Sequence, residues 1–169
     1  GKAAMQFALD YPDMVEKLVV VDIAPKPYEH GHTSVFAAFN AVDPAALTDR
    51  SEAEELMRPH VPEDDVRLFL LKNLSRSKEG GFAWKMNLAV IERDYPHIIA
   101  GMNEDATAFE GPTLFVRGAD SDYVSDGDLP AIHRFFPAAR LETISGAGHW
   151  IHAQQPEVLY EMVQEFLRG

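Results

Sequence analysis

No cysteine occurs in the 169 residues. Disulfide bonds, thiolate metal sites and a cysteine nucleophile are therefore excluded. There is no run of about 18 apolar residues, so no segment is expected to span a bilayer. Gly1-Lys2-Ala3-Ala4 lead to Asp10 with neither the apolar run nor the cleavage pattern of a secretory leader. The default expectation for compartment is the cytosol. Basic residues are scarce, 15 against 27 acidic, for a net charge of −12. Nucleic acid needs a clustered basic face and is not expected as a partner. The acidic residues are spread along the chain, as on a solvated surface. No Gly-x-Gly-x-x-Gly or other phosphate-cradling loop is present, so no nucleotide cofactor is implied.

A hydrophobic content of 46% is enough for a real core at this length. Residues 1–27 read as helix, turn and strand. Ala3, Ala4, Phe7 and Ala8 share one helical face, and Tyr11-Pro12-Asp13 ends the helix. Leu18-Val19-Val20-Val21 is the kind of run that is covered on both faces of a parallel sheet. Asp22 stands at its carboxyl end, and Pro25 and Pro27 prevent further pairing. Residues 28–108 carry helical patterns and no long strand run. Ser51-Glu52-Ala53-Glu54 reads as a capping box, and Pro62 is placed to start a helix through Val66, Leu68, Phe69 and Leu71. Residues 75–81 read as a polar turn and 88–93 as a short helix. Such a block between two strands most simply forms an inserted helical cap. Residues 109–169 then alternate: strand over 112–118, helix over 129–136, strand over 140–144 and helix over 156–167. The last has Val158, Leu159, Met162, Val163 and Phe166 on its apolar face. This alternation implies parallel strands joined by right-handed crossovers. The expected fold class is α/β, with a core of 1–27 and 109–169 and a helical cap insertion of 28–108.

Several short stretches carry more than periodicity. Gly146-Ala147-Gly148-His149-Trp150 follows a short apolar stretch and precedes the closing amphipathic helix. Lys17-Leu-Val-Val-Val-Asp22-Ile-Ala-Pro25 and Gly118-Ala-Asp-Ser-Asp-Tyr123-Val stand earlier, and the chain starts Gly1-Lys-Ala-Ala-Met-Gln-Phe-Ala. In this order and spacing they resemble the α/β-hydrolase superfamily, and within it the small bacterial esterases and thioesterases. The resemblance implies that the chain is the part C-terminal to the nucleophile elbow Gly-x-Ser-x-Gly. The serine and the N-terminal half of the fold are then expected upstream of Gly1. That half would be this chain's partner, and the chain alone would be inactive.

In this superfamily the triad order is serine, acid, histidine. The resemblance makes His149 the base, with Gly146 and Gly148 giving the loop its tight turn. His152 is expected to pack at the helix entry. The acid most often follows the strand at 112–118, but Ser121 occupies that place, flanked by Asp120 and Asp122. In the branch resembled, the acid can instead follow the preceding strand, where Asp22 sits. Asp22 ranks first, Asp120 second and Asp122 third, and Ser121 is expected to hydrogen-bond the imidazole or the acid. Tyr28, Phe36, Phe39, Trp84, Tyr123 and Trp150 are candidates for an acyl pocket beneath the cap; each also suits simple core packing. His30-Gly31-His32 supplies two metal ligands without a third or fourth, so no metal is expected. The implied activity is hydrolysis of a carboxylic ester or thioester of a small acyl substrate, with no cofactor and no membrane partner. Carbon–carbon bond hydrolysis or perhydrolysis on the same scaffold, or a non-catalytic binding module, are the alternatives.

Overall fold

A computed structural model describes residues 1–78 and 80–169. The chain divides into two units: residues 1–27 with 100–169, and residues 28–99.

The first unit is built on a parallel sheet of three strands, β1 (Leu18–Val21), β4 (Thr113–Gly118) and β5 (Ala139–Ile144), in the order β1-β4-β5. Leu18 pairs with Thr113 and Val21 with Val116; Thr113 pairs with Ala139 and Gly118 with Ile144. All three carboxyl ends therefore lie at one rim, so whatever follows Val21, Gly118 and Ile144 meets there. Successive side chains along a strand point to opposite faces. Phe115 enters a core with Met5, Val20 and Phe136 on one side of the sheet. Leu114 and Val116 enter a second core with Ile144, Ile151 and Phe166 on the other. Helix α1 (Lys2–Asp10) packs its Met5, Ala8 and Leu9 inward. This corrects the sequence reading: Ala3, Ala4 and Phe7 are exposed. The larger Met5 and Leu9 decide the buried stripe, and alanines on the opposite face carry little weight. Helices α7 (Leu129–Phe135), α8 (Ile151–Gln154) and α9 (Pro156–Arg168) complete the unit. On α9 Phe166 is buried, whereas Val158 is 44% exposed and lies off the packed stripe.

Residues 100–108, read with the cap in the sequence, pack with this unit: Met102 and Ala106 lie against the first core. The two connections that leave and re-enter the unit are tied. The Met102 amide donates to the Pro25 carbonyl at 3.2 Å. The Lys2 ammonium donates to the carbonyls of Lys26, at 3.0 Å, and of Ala100.

The second unit holds α2 (Thr33–Asn40), α3 (Arg50–Met57), α4 (Asp64–Leu70), α5 (Leu88–Arg93) and α6 (Tyr95–Ile99) around Ala38, Phe39, Met57, Leu71 and Leu74. It also contains a short antiparallel pair, β2 (Leu74–Arg76) with β3 (Phe82–Trp84), where the sequence suggested a polar turn alone. Leu74 is buried and Phe82 and Trp84 pack against the same core, which draws both sides of the turn into a ladder. Glu79, within the expected turn, lies outside the described residues. The helix that starts near residue 50 is capped by Asp49, not Ser51: the Asp49 carboxylate accepts from the Glu52 amide at 3.0 Å. Asp49 is extended, as an N-cap must be, and Ser51 is already inside the helix.

Helix α4 starts at Asp64 rather than at Pro62. Leu68 and Phe69 are exposed at 52% and 44%, whereas Arg67, Leu70 and Leu71 are buried. Those three lie at helical spacing i, i+3, i+4, so burying Arg67 turns its two apolar neighbours outward. The Arg67 guanidinium donates to the carbonyls of Val61, at 2.8 Å, and Pro62, at 2.6 Å, and pairs with Asp64. At the ends of the unit, the Tyr28 amide donates to the Ile99 carbonyl at 2.8 Å. Among the described residues no helix is long and apolar enough to cross a membrane.

Candidate active site

Asp22 is the first residue past β1 and is 1% exposed. Its φ of +50° is the one positive value at a described non-glycine residue. Aspartate tolerates this left-handed conformation better than most residues, at a cost of about 1–3 kcal/mol. The kink turns the chain out of the sheet while the carboxylate stays at the rim. There it accepts three hydrogen bonds. The Gly118 amide donates to Oδ1 at 3.2 Å, the Ser121 hydroxyl donates to Oδ2, and His149 Nδ1 lies 2.9 Å from Oδ2. Burial alone would push the Asp22 carboxyl up. The bonds from His149, Ser121 and Gly118, with the imidazole's charge, outweigh that and hold it below the ordinary aspartate range.

His149 reaches Asp22 from the loop after β5. Gly146 turns that loop at φ +67°, a conformation that glycine adopts without strain. Gly118 is needed for a different reason. A Cβ there would collide with the carbonyl oxygens of Ala147 and Gly148, so the end of β4 and the histidine loop touch backbone to backbone. The Asp120 amide seals this contact by donating to Ala147 O at 3.0 Å. From the other side Gln154 accepts from the Gly148 amide at 2.8 Å. Gln154 and the Gly118 amide were not singled out in the sequence. A glutamine just past a glycine loop and a glycine ending a strand are the faint signals that were available.

The structure thus brings together Asp22, Ser121 and His149. The Asp120 and Asp122 side chains are exposed, and neither bonds His149 among the described residues. Tyr123 stacks on His149, with ring centroids 3.8 Å apart and planes 16° from parallel. The His149 side chain remains 42% exposed, and its Nε2 has no hydrogen bond among the described residues. Trp150, half-buried, caps α8 and stacks loosely with His152 at 6.5 Å. His152 is exposed rather than packed at the helix entry, because the buried position of that first turn is taken by Ile151.

In the second unit Phe39 is core, edge-on to Trp84 at 5.0 Å. Phe36 meets Tyr95 edge-on and lines a groove of about 430 Å³ with Thr33, Asn40 and Glu92. Tyr28 is half-buried. His32 Nδ1 lies 2.6 Å from the Tyr95 hydroxyl. Among the described residues no group of three or more histidine or carboxylate side chains is placed to hold a metal ion.

A carboxylate, a histidine hydrogen-bonded to it and an Nε2 without a hydrogen bond among the described residues make an arrangement that can serve as the acid–base half of a nucleophilic triad. No protein-family model matches the chain. Esterase YbfF of Escherichia coli is 37% identical over 168 residues, which are 99% of this chain and 63% of that protein. The sn-1-specific diacylglycerol lipase ABHD11 of Danio rerio is 40% identical over 175 residues, 99% of this chain and 54% of that protein. The solved structure of a marine microorganism esterase superposes with a TM-score of 0.93 at 39% identity, covering 98% of this chain and 66% of that one. In each case the chain spans less than two thirds of the relative's length. It carries part of an α/β-hydrolase fold and belongs to the esterase/lipase family of that fold.

Proposed function

We propose that the protein carrying this chain hydrolyses carboxylic ester or thioester bonds of small acyl substrates, with His149 as general base and Asp22 as the carboxylate behind it. The observation that carries this reading is the 2.9 Å contact between His149 Nδ1 and the buried Asp22 Oδ2. The names of an esterase and a lipase among the relatives support the bond type. A serine hydroxyl would attack the acyl carbon and pass its proton to His149 Nε2. The oxyanion would then collapse, and His149 would return the proton to the departing alcohol or thiol. Water, deprotonated by the same nitrogen, would release the acid. Asp22 stays ionised throughout, which holds the Nδ1–H tautomer and stabilises the imidazolium. Ser121 fixes the same carboxylate oxygen that His149 uses, and so sets its rotamer.

Ser121 is not the nucleophile in this reading, because its hydroxyl is spent on Asp22 rather than on Nε2. The nucleophile is expected upstream of Gly1, and residues 1–169 alone are expected to be inactive. The inserted unit is read as the enzyme's cap.

The test is a short-chain ester assay on the full-length protein. His149→Ala is expected to lower turnover by on the order of 10⁶-fold, with an unchanged circular dichroism spectrum. Activity of the unsubstituted enzyme is expected to rise with pH, since only a neutral imidazole accepts a proton. Undiminished hydrolysis by a folded His149→Ala protein would overturn the reading. Absence of hydrolysis by the unsubstituted enzyme on any ester or thioester would favour a hydrolase-fold binding module.

A further inference from the structure

We infer that Tyr123 is a positioning residue for His149: its ring lies flat on one face of the imidazole and fixes the plane in which the base works. The inference rests on the hydrolase reading above. The imidazole makes one side-chain hydrogen bond among the described residues, at Nδ1. One bond at one end leaves the ring able to swing about the line to Asp22, which would carry Nε2 away from a reacting hydroxyl. A parallel aromatic ring at 3.8 Å blocks that swing. It also presents a π face to the imidazolium that forms when the proton is taken.

The stacking ring is itself held. The Tyr123 amide donates to Ser121 Oγ at 3.3 Å, and the Ser121 hydroxyl donates to Asp22. The next residue, Val124, is 2% exposed. Beyond it Ser125 and Asp128 close a capping box, and Asp128 pairs with Lys26 at 2.7 Å. Acid, hydroxyl and stacking ring are thus one braced segment. A ring spent on His149 also makes a poor wall for an acyl pocket, so Tyr123 acts through the base rather than on the substrate.

Three proteins decide the matter: the full-length enzyme, Tyr123→Leu and Tyr123→Phe, each assayed with a short and a longer acyl ester. Tyr123→Leu is expected to lower kcat about 10- to 100-fold, with KM held within about twofold for both esters. Tyr123→Phe, which keeps the ring, is expected to restore most of the loss. A KM that rises with acyl length while kcat is retained would overturn the inference in favour of a pocket wall. An unaltered Tyr123→Leu enzyme would overturn it as well.

Proton NMR gives a second readout that does not depend on a Tyr123 variant. In the unsubstituted protein the His149 ring protons, assigned with His149→Gln, are expected upfield of those of exposed His60, which has no ring contact among the described residues, as a stacked aromatic face requires. Coincident shifts would overturn the stack. An enzyme that hydrolyses no ester would sink the hydrolase reading, and the NMR comparison would still decide whether Tyr123 holds the ring.

Discussion

Asp22 and Arg67 are charged groups withdrawn from solvent, one in each unit, at 1% and 0% exposure. They are held in opposite ways. Arg67 gives its donors to the carbonyls of Val61 and Pro62 and to Asp64, and lies 3.6 Å from Glu54, all within its own unit. Its Nε has no partner among the described residues, so even the scaffolding is incomplete. Asp22 accepts from a backbone amide, a hydroxyl and a ring that is 42% exposed. A buried ion whose partners all serve the local fold holds the chain in place. A buried ion bonded to a half-exposed titratable ring can also transmit a change of protonation outward. In the function proposed above, Arg67 is the structural charge and Asp22 the chemical one.

The sharpest way to break that contrast is to neutralise each charge in turn. Asp22→Asn in the full-length enzyme is expected to lower turnover by on the order of 10⁴-fold, by losing the correct histidine tautomer. Substrate binding should change little, and Asp120→Asn should leave turnover within a few-fold of the parent. Steady-state kinetics on the three proteins check this, and the reverse ranking would move the acid to the loop after β4.

Arg67→Met is expected to do the opposite. It strands the two carbonyls and should cost about 2–3 kcal/mol of stability, read by urea denaturation. Turnover per folded molecule should stay unchanged. Gly118→Ala sits between the two. Overpacking against the histidine loop is expected to cost about 1–3 kcal/mol and, by displacing His149, to lower turnover as well. A normal melting curve with normal turnover would show that the loop yields without consequence.

The smallest effect concerns acid stability. The Asp22 carboxyl is held below its ordinary value by its hydrogen bonds. Its contribution is therefore complete above the unfolded aspartate pKa of about 3.9 and is lost as pH falls through the lower folded value. Asp22→Asn should remove that part of the acid-side decline in melting temperature and leave the rest.

The strands of the first unit were legible because buried parallel strands are apolar runs with nothing to alternate. Leu18–Val21 and Thr113–Gly118 are such runs. His149 was legible through its glycine-flanked loop. Among the three aspartates the resemblance ranked Asp22 first, but its contact with His149 joins residues 127 positions apart and no local pattern shows it. Tyr123 reads as a candidate pocket aromatic, and its stack on His149 cannot be seen in one dimension. In the second unit Arg67 defeated the pattern. A reading that turns apolar residues inward and charges outward predicts the wrong face wherever a charge is buried with its own partners.

Leu18 and Thr113 are register partners in the sheet although residues 28–99 lie between them. The two ends of that insert are clasped, Tyr28 to Ile99, and the flanking stretches of the first unit are clasped as well, Met102 to Pro25. Closing a loop costs only about 0.6 kcal/mol more for each doubling of its length. The core is therefore almost indifferent to how much chain is spliced in at this point. The clasp marks a grafting site: exchanging the insert at 27/28 and 99/100 is expected to leave Asp22 and His149, both carried by the other unit, in register.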